Sequence, residues 1–179
     1  AGLRIAVQID GGRLRTHQNK LSGKKRKKGS RQKFDTPWRE PKALVIFAFD
    51  ERGRMVSRHR QPLIDGTLLG PDHTAELVAY HLHRLGAARA ERVVFIADGA
   101  RWIWDSIDWI VKRAGIDTGR VQQVLDFCHA AHHISLALEA LGYAGDERKT
   151  EYRRLRKQLK AGRWKAVTAD LIVLAFDAP

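Results

Sequence analysis

Leu3-Arg4-Ile5-Ala6-Val7-Gln8-Ile9-Asp10-Gly11-Gly12 and Val93-Val94-Phe95-Ile96-Ala97-Asp98-Gly99 are the two stretches on which the fold turns. The first alternates apolar and polar residues, is rich in β-branched types and stops at Asp-Gly-Gly, so it predicts a strand that delivers Asp10 at its carboxyl end. The second is apolar throughout, which suits a central parallel strand covered on both faces, and it too ends in Asp-Gly. In an open α/β sheet, functional groups collect beyond the carboxyl ends of parallel strands. Either Asp-Gly taken singly is accounted for as a turn, because both residues are turn formers. Two of them, each closing an apolar strand in a basic chain, predict a shared site.

The segments around these strands supply the rest of the fold. Residues 43–49 and 54–58 flank Asp50-Glu51-Arg52-Gly53, which is a β-hairpin signature. Pro71-Asp72 opens a helix that Gly86 stops, and an aromatic-rich helix over 101–114 ends at Gly115, its large residues explained by core packing. A strand over 121–125 leads into a helix over 127–141, and residues 146–174 read as two helices around Gly162. The order is strand, hairpin pair, helix, strand, helix, strand, helix. It predicts an α/β fold with a ribonuclease H-like mixed five-stranded sheet flanked by helices, followed by a C-terminal helical extension. Residues 1–142 are expected to form the core, with 13–37 as a basic flexible loop, and 143–179 the extension.

At 179 residues the chain has room for one such domain. It has neither the roughly 20-residue apolar run of a membrane helix nor a leader segment, so a soluble protein that stays where it is made is expected. Its lone cysteine, Cys128, cannot form an internal disulfide, which fits a bacterial cytoplasm, associated with the nucleoid if the partner is DNA.

Thirty-three Lys and Arg against 20 Asp and Glu leave a formal charge of +13, which points to a polyanion, with nucleic acid the first choice and an ordinary basic surface the alternative. Distribution favours nucleic acid. Lys24, Lys25, Arg26, Lys27, Lys28, Arg31 and Lys33 crowd a segment with Gly and Ser but almost no apolar residue, as in a loop that orders on phosphates. A second basic stretch, 148–160, has helical spacing, with Tyr152, Leu155 and Leu159 on one face and cations on the other. It reads equally as a solvated helix face.

If the first and fourth strands are neighbours, Asp10 and Asp98 project into one site. Oxygen-only ligands suit Mg2+ or Mn2+, which keep several waters and bridge to substrate phosphate. Two such ions about 3.5–4 Å apart activate an attacking water or 3′-hydroxyl and stabilise the leaving oxygen. Asp126 also ends a strand, and with His129 three residues on, both could face the same cluster. A helix N-cap is the commoner role for such an Asp. His129, His132 and His133 have spacing that could hold zinc, but the chain lacks a His-Glu-x-x-His pattern and a second cysteine. Glu76 and Glu139 are further acidic candidates; an exposed position near a helix N-terminus explains the first, and a scaffold helix with Leu136, Leu138 and Leu141 explains the second. Trp38 could stack on bases, though packing where the second strand begins explains it as well.

Ile9-Asp10-Gly11, Trp38-Arg-Glu-Pro-Lys42, Val94-Phe-Ile-Ala-Asp98-Gly-Ala-Arg-Trp102-Ile-Trp and Val124-Leu-Asp126-Phe-Cys-His129-Ala together resemble insertion-sequence transposases of the ISKra group, which are similar to Mutator-like DDE enzymes. The resemblance runs from the first strand to the helix after His129. It implies that Asp10 and Asp98 are the first two catalytic aspartates, that Asp126 and His129 form an Asp-x-x-His element beside the active site, and that Mg2+ or Mn2+ is the cofactor. It also implies DNA as partner, at transposon ends and target, homo-oligomerisation of the full-length protein, and a third catalytic Glu after an inserted helical region that begins near Arg148. The motif of that Glu is not found in the chain, and the DNA-end-binding domain expected upstream of the first strand is not seen either. The competing functions are a ribonuclease H or resolvase-type nuclease, which would complete its acidic cluster within this chain, and a non-catalytic nucleic-acid-binding module.

Overall fold

A computed structural model describes residues 2–20, 34–56 and 61–177. In chain order it contains β1 (Arg4–Gly11), β2 (Leu14–Arg15), β3 (Gln18–Asn19), β4 (Phe34–Asp35), β5 (Trp38–Arg39), β6 (Lys42–Ala48), β7 (Leu63–Thr67), α1 (Pro71–Arg84), β8 (Arg92–Ala97), α2 (Arg101–Ala114), β9 (Val121–Leu125), α3 (Phe127–Ala140), α4 (Gly145–Lys160) and α5 (Trp164–Asp177). The main sheet has five strands in the order β7-β6-β1-β8-β9. β6 is antiparallel to both β1 and β7, whereas β1 and β8 run parallel. This is the mixed, ribonuclease H-like α/β sheet expected from the order of elements. No helix among the described residues is long and apolar enough to cross a membrane.

Alternation along the strands decides where the core sits. Ile5, Val7 and Ile9 of β1, Leu44 and Ile46 of β6, and Val93, Phe95 and Ala97 of β8 are buried in one cluster with Val78 and Leu82 of α1 and Ile103, Ile107 and Ile110 of α2. Successive strand residues point to opposite faces, so α1 and α2 cover one face of the sheet and the even-numbered residues of β1 belong to the other. Gly115, at φ +70°, closes α2 in the left-handed region that favours glycine.

The third strand is not where the hairpin signature put it. Asp50 builds the expected turn, its carboxylate accepting the Arg52 and Arg54 amides at 2.9 Å each. Beyond the turn, only an isolated bridge joins Met55 to Phe49, and 57–60 lie outside the described residues. The strand that pairs with β6 is β7, Leu63-Ile-Asp-Gly-Thr67. Its Asp65-Gly66 pair looks like a turn in sequence, yet Gly66 is required in the strand because a Cβ there would sit 2.8 Å from the Lys42 carbonyl oxygen. The expected flexible loop over 13–37 is likewise not wholly a loop: β2 pairs with β5 and β3 with β4, an antiparallel ribbon that leaves the sheet just after Gly11. The basic cluster Lys24, Lys25, Arg26, Lys27, Lys28, Arg31 and Lys33 lies outside the described residues.

Contacts divide the chain into two compact units, residues 1–123 and 124–179, with α3, α4 and α5 in the second. In the second unit Ile134 and Leu138 of α3, Leu155 of α4 and Val167 of α5 form a small core. Arg154 ties α4 to α5, contacting both Glu151 and Asp170, and the two carboxylates raise its pKa further above the usual guanidinium value. Arg148 ties α4 to α3 through Glu139 at 2.7 Å and the Ser135 carbonyl at 3.0 Å.

Edge strand β7 is pinned to α1 by a polar contact. His81, 9% exposed, places Nε2 2.7 Å from Asp65 Oδ2. The His81 hydrogen bond, assisted by the Gly66 amide, holds the Asp65 carboxyl below the usual carboxylate range. A carboxyl whose folded-state pKa is depressed stabilises the fold above its unfolded pKa, near 4, and loses that contribution as pH falls through the folded value. Asp65→Asn should therefore flatten the acid limb of a urea-stability profile below about pH 4, relative to wild type. An acid limb of unchanged slope in the variant would show that this pair does not contribute.

Candidate active site

Residue pairing places Ile9 of β1 opposite Ala97 of β8 in the parallel register. Asp10 and Asp98 are each the next residue, so the two carboxylates leave neighbouring strands at the same level. Both follow residues whose side chains enter the helix-covered core, and Asp10 therefore stands on the opposite face, where it is exposed. Its cross-strand neighbour on that face is Ala43, and beyond Ala43 is Gly66, all three exposed. The row contains almost no side-chain bulk beside Asp10, which leaves room for a large ligand to approach the sheet end.

The two carboxylates differ in setting. Asp98 is partly buried, and its Oδ1 accepts the Ala100 amide at 2.8 Å, a local turn that orients the group where β8 passes into α2. Asp98 Oδ2 accepts no hydrogen bond among the described residues. Asp10 is exposed and, among the described residues, has no ion-pair partner. One oriented and one freely placed carboxylate are suitable oxygen donors for a hard divalent cation, which commonly takes one or two protein carboxylates and completes its shell with water and phosphate. Among the described residues no group of three or more His, Cys, Asp or Glu is gathered so as to hold a metal ion.

A buried cation adjoins this end of the sheet. Lys42, opposite Gly11 in the β1–β6 register and only 6% exposed, has Nζ 3.5 Å from Glu40 Oε1 and 5.6 Å from the centre of the Trp102 ring. Trp102 is in the first turn of α2, directly after the Asp98 loop, so Lys42 links the start of β6 to that turn. No local signal marks this role, since a lysine at a strand start normally faces solvent. Trp38, expected to pack where the second strand begins, is instead 60% exposed on the ribbon, with the Arg15 guanidinium 4.8 Å over its ring. Phe34 is half exposed on the same ribbon, 3.9 Å from the His17 ring centre to centre.

The remaining candidates have partners or settings of their own. Glu76 lines an outer groove between α1 and α2, and Glu139 is engaged by Arg148. Asp126 and His129 belong to the second unit, where Asp126 caps α3: its Oδ1 accepts the Cys128 amide at 2.6 Å and the His129 amide at 3.0 Å. His129 and His133 have ring centres 5.6 Å apart, but no metal-holding group forms there among the described residues. Compared with protein-family models and with curated proteins, the chain matches neither.

The capping geometry separates two roles for Asp126. Asp126→Ala should cost about 0.5–2 kcal/mol of stability, and Asp126→Asn, which still caps, should cost little. Equal losses for the two variants in urea unfolding would argue that the charge, and not the cap, is what matters at this position.

Proposed function

We propose that this chain is the catalytic core of a DNA transposase, built for metal-dependent phosphodiester hydrolysis and strand transfer. The observation that carries the reading is the parallel register of Ile9 with Ala97, which brings Asp10 and Asp98 to adjacent strand ends. Asp10 and Asp98 would hold Mg2+ or Mn2+. Such ions, when bound, supply Lewis-acid activation of an oxygen nucleophile and charge stabilisation at the phosphorus. The chain's own residues contribute orientation of Asp98 through the Ala100 amide and an open approach over Ala43 and Gly66.

The choice of DNA as substrate is supported by the ribbon that follows β1. Arg15 stacked on an exposed Trp38, with Phe34 farther out, combines a phosphate-neutralising cation with aromatic faces on which bases stack. In the second unit Arg153, Arg156, Lys157 and Lys160 line a cleft on α4 with Tyr152, and none of the four cations is in an ion pair among the described residues. Transposase, as against ribonuclease H, rests on the resemblance of the motifs around Asp10, Trp38–Lys42, Asp98 and Asp126. A ribonuclease H reading would bring Glu76 to the aspartates, whereas Glu76 lines the groove between the helices.

Metal binding tests the site directly. Titrated with Mn2+ and followed by the loss of its free-ion paramagnetic resonance signal, the wild-type chain should bind, while Asp10→Asn and Asp98→Asn should each weaken binding at least about tenfold. Circular dichroism should remain unchanged in both. Mn2+ affinity that neither substitution alters would end the nuclease reading.

The ribbon makes a separable prediction for DNA affinity. Arg15→Ala should lower the slope of log K against log salt by about 0.7–0.9, the loss of one phosphate contact. Trp38→Ala should weaken binding by about 1–3 kcal/mol with little change in slope, as expected for lost stacking. Unchanged affinity and slope in both variants would remove the ribbon from the interface.

A further inference from the structure

The outer surface of the first unit carries a pattern that phosphodiester chemistry does not use. α1 presents Glu76, Tyr80 and Arg84 at four-residue spacing, and α2 presents Asp105, Trp109 and Arg113 at the same spacing. Each triple is a stripe that runs acid, aromatic, base along one helix face. The helices lie side by side and parallel: one end of the groove between them is lined by Asp72 and Asp105, the other by Tyr80, His83 and Arg113, with Glu76 and Trp109 at both. Tyr80 is 54% exposed and Trp109 46%. Arg84 lies 5.5 Å over the Tyr80 ring, and Asp105 has only the exposed Arg101 at 3.4 Å. Glu76 and Arg113 are in no ion pair among the described residues. Acid at the start of a helix and base at its end complement the macrodipole. The dipole does not account for a large exposed aromatic midway along both helices.

We infer that this face seats a second copy of the chain, related by a two-fold axis that lies in the contact plane and crosses α1 and α2 at right angles. Such an axis lays each helix antiparallel on its own copy. Asp105 of each copy then faces Arg113 of the other, Glu76 faces Arg84, and the two aromatic residues meet their own counterparts at the axis. A two-fold parallel to the helices would set α1 on α2 with acid over acid and base over base, a juxtaposition that like-charge repulsion disfavours. The charge pattern thus selects one arrangement. A nucleic acid on this face would have to lie over Asp72, Glu76 and Asp105, so the groove does not suit a polyanion. Buried aromatics ringed by polar groups are the usual anatomy of a protein–protein contact. Because α1 and α2 cover the sheet face opposite Asp10, self-association through them is independent of the proposed metal site.

Sedimentation equilibrium of the whole chain, at concentrations up to about 100 μM, should show a dimer that loosens as salt is raised. Arg113→Asp and Trp109→Ala should each raise the dimer dissociation constant about tenfold or more. The double variant Asp105→Arg with Arg113→Asp reverses the polarity of the α2 stripe and should restore dimerisation that Arg113→Asp alone removes. A wild-type chain that stays monomeric over this range would overturn the inference. So would a dimer indifferent to both single substitutions, or a double variant no better than Arg113→Asp. Mn2+ binding by these variants should match wild type, which separates failure here from failure of the metal site.

Discussion

The pairing of β1 with β8 is the constraint on which the candidate site depends. Parallel strands place residues of equal register side by side, and the register here is locked by burial: Ile5, Val7 and Ile9 lie beside Val93, Phe95 and Ala97 in one core. A slip of one residue would turn every one of those side chains to the other face. The cost of exposing them far exceeds anything two aspartates contribute. Asp10 and Asp98 are thus set at neighbouring strand ends by the apolar residues that precede them.

What surrounds the pair follows from the same geometry. On the face away from α1 and α2 Asp10 is flanked by the exposed Ala43 and Gly66, and the Lys42 carbonyl approaches Gly66 too closely to admit a Cβ. A packing requirement on the edge strand therefore also keeps the approach to Asp10 clear. On the covered face Lys42 and Trp102 join the start of β6 to the first turn of α2, so the Asp98 loop is bounded by a packed strand on one side and an anchored helix on the other. The ribbon follows β1 after Gly12 and Arg13, and its exposed aromatic and cationic side chains are in the same unit as the aspartates.

Most of the sheet and all of the long helices could be read along the sequence, because they rest on local signals. Apolar alternation marked β1, an uninterrupted apolar run marked β8, and Gly86, Gly115 and Gly162 marked helix ends. β7 escaped because Asp65-Gly66 has turn chemistry and its strand character comes only from pairing with β6. The two-residue strands of the ribbon are too short for any period to show. Lys42 and Trp38 ran against expectation in opposite senses, the lysine buried and the tryptophan exposed, since each is placed by partners distant in sequence: Trp102 for one, Arg15 for the other. Asp126 was legible as a cap from its position before a helix, and the cap is what its carboxylate forms. The proposed meeting of Asp10 with Asp98 rests on the first and fourth long strands of the chain being neighbours, and β1 and β8 do pair in parallel.

Anomalous diffraction from a crystal of the chain soaked in Mn2+ distinguishes a cation shared by Asp10 and Asp98 from one bound elsewhere. If the two carboxylates share it, a peak lies within coordination distance, on the order of 2 Å, of an oxygen of each. Full occupancy of Mn2+ elsewhere, with the space between the two aspartates left without a peak, would rule out the shared site.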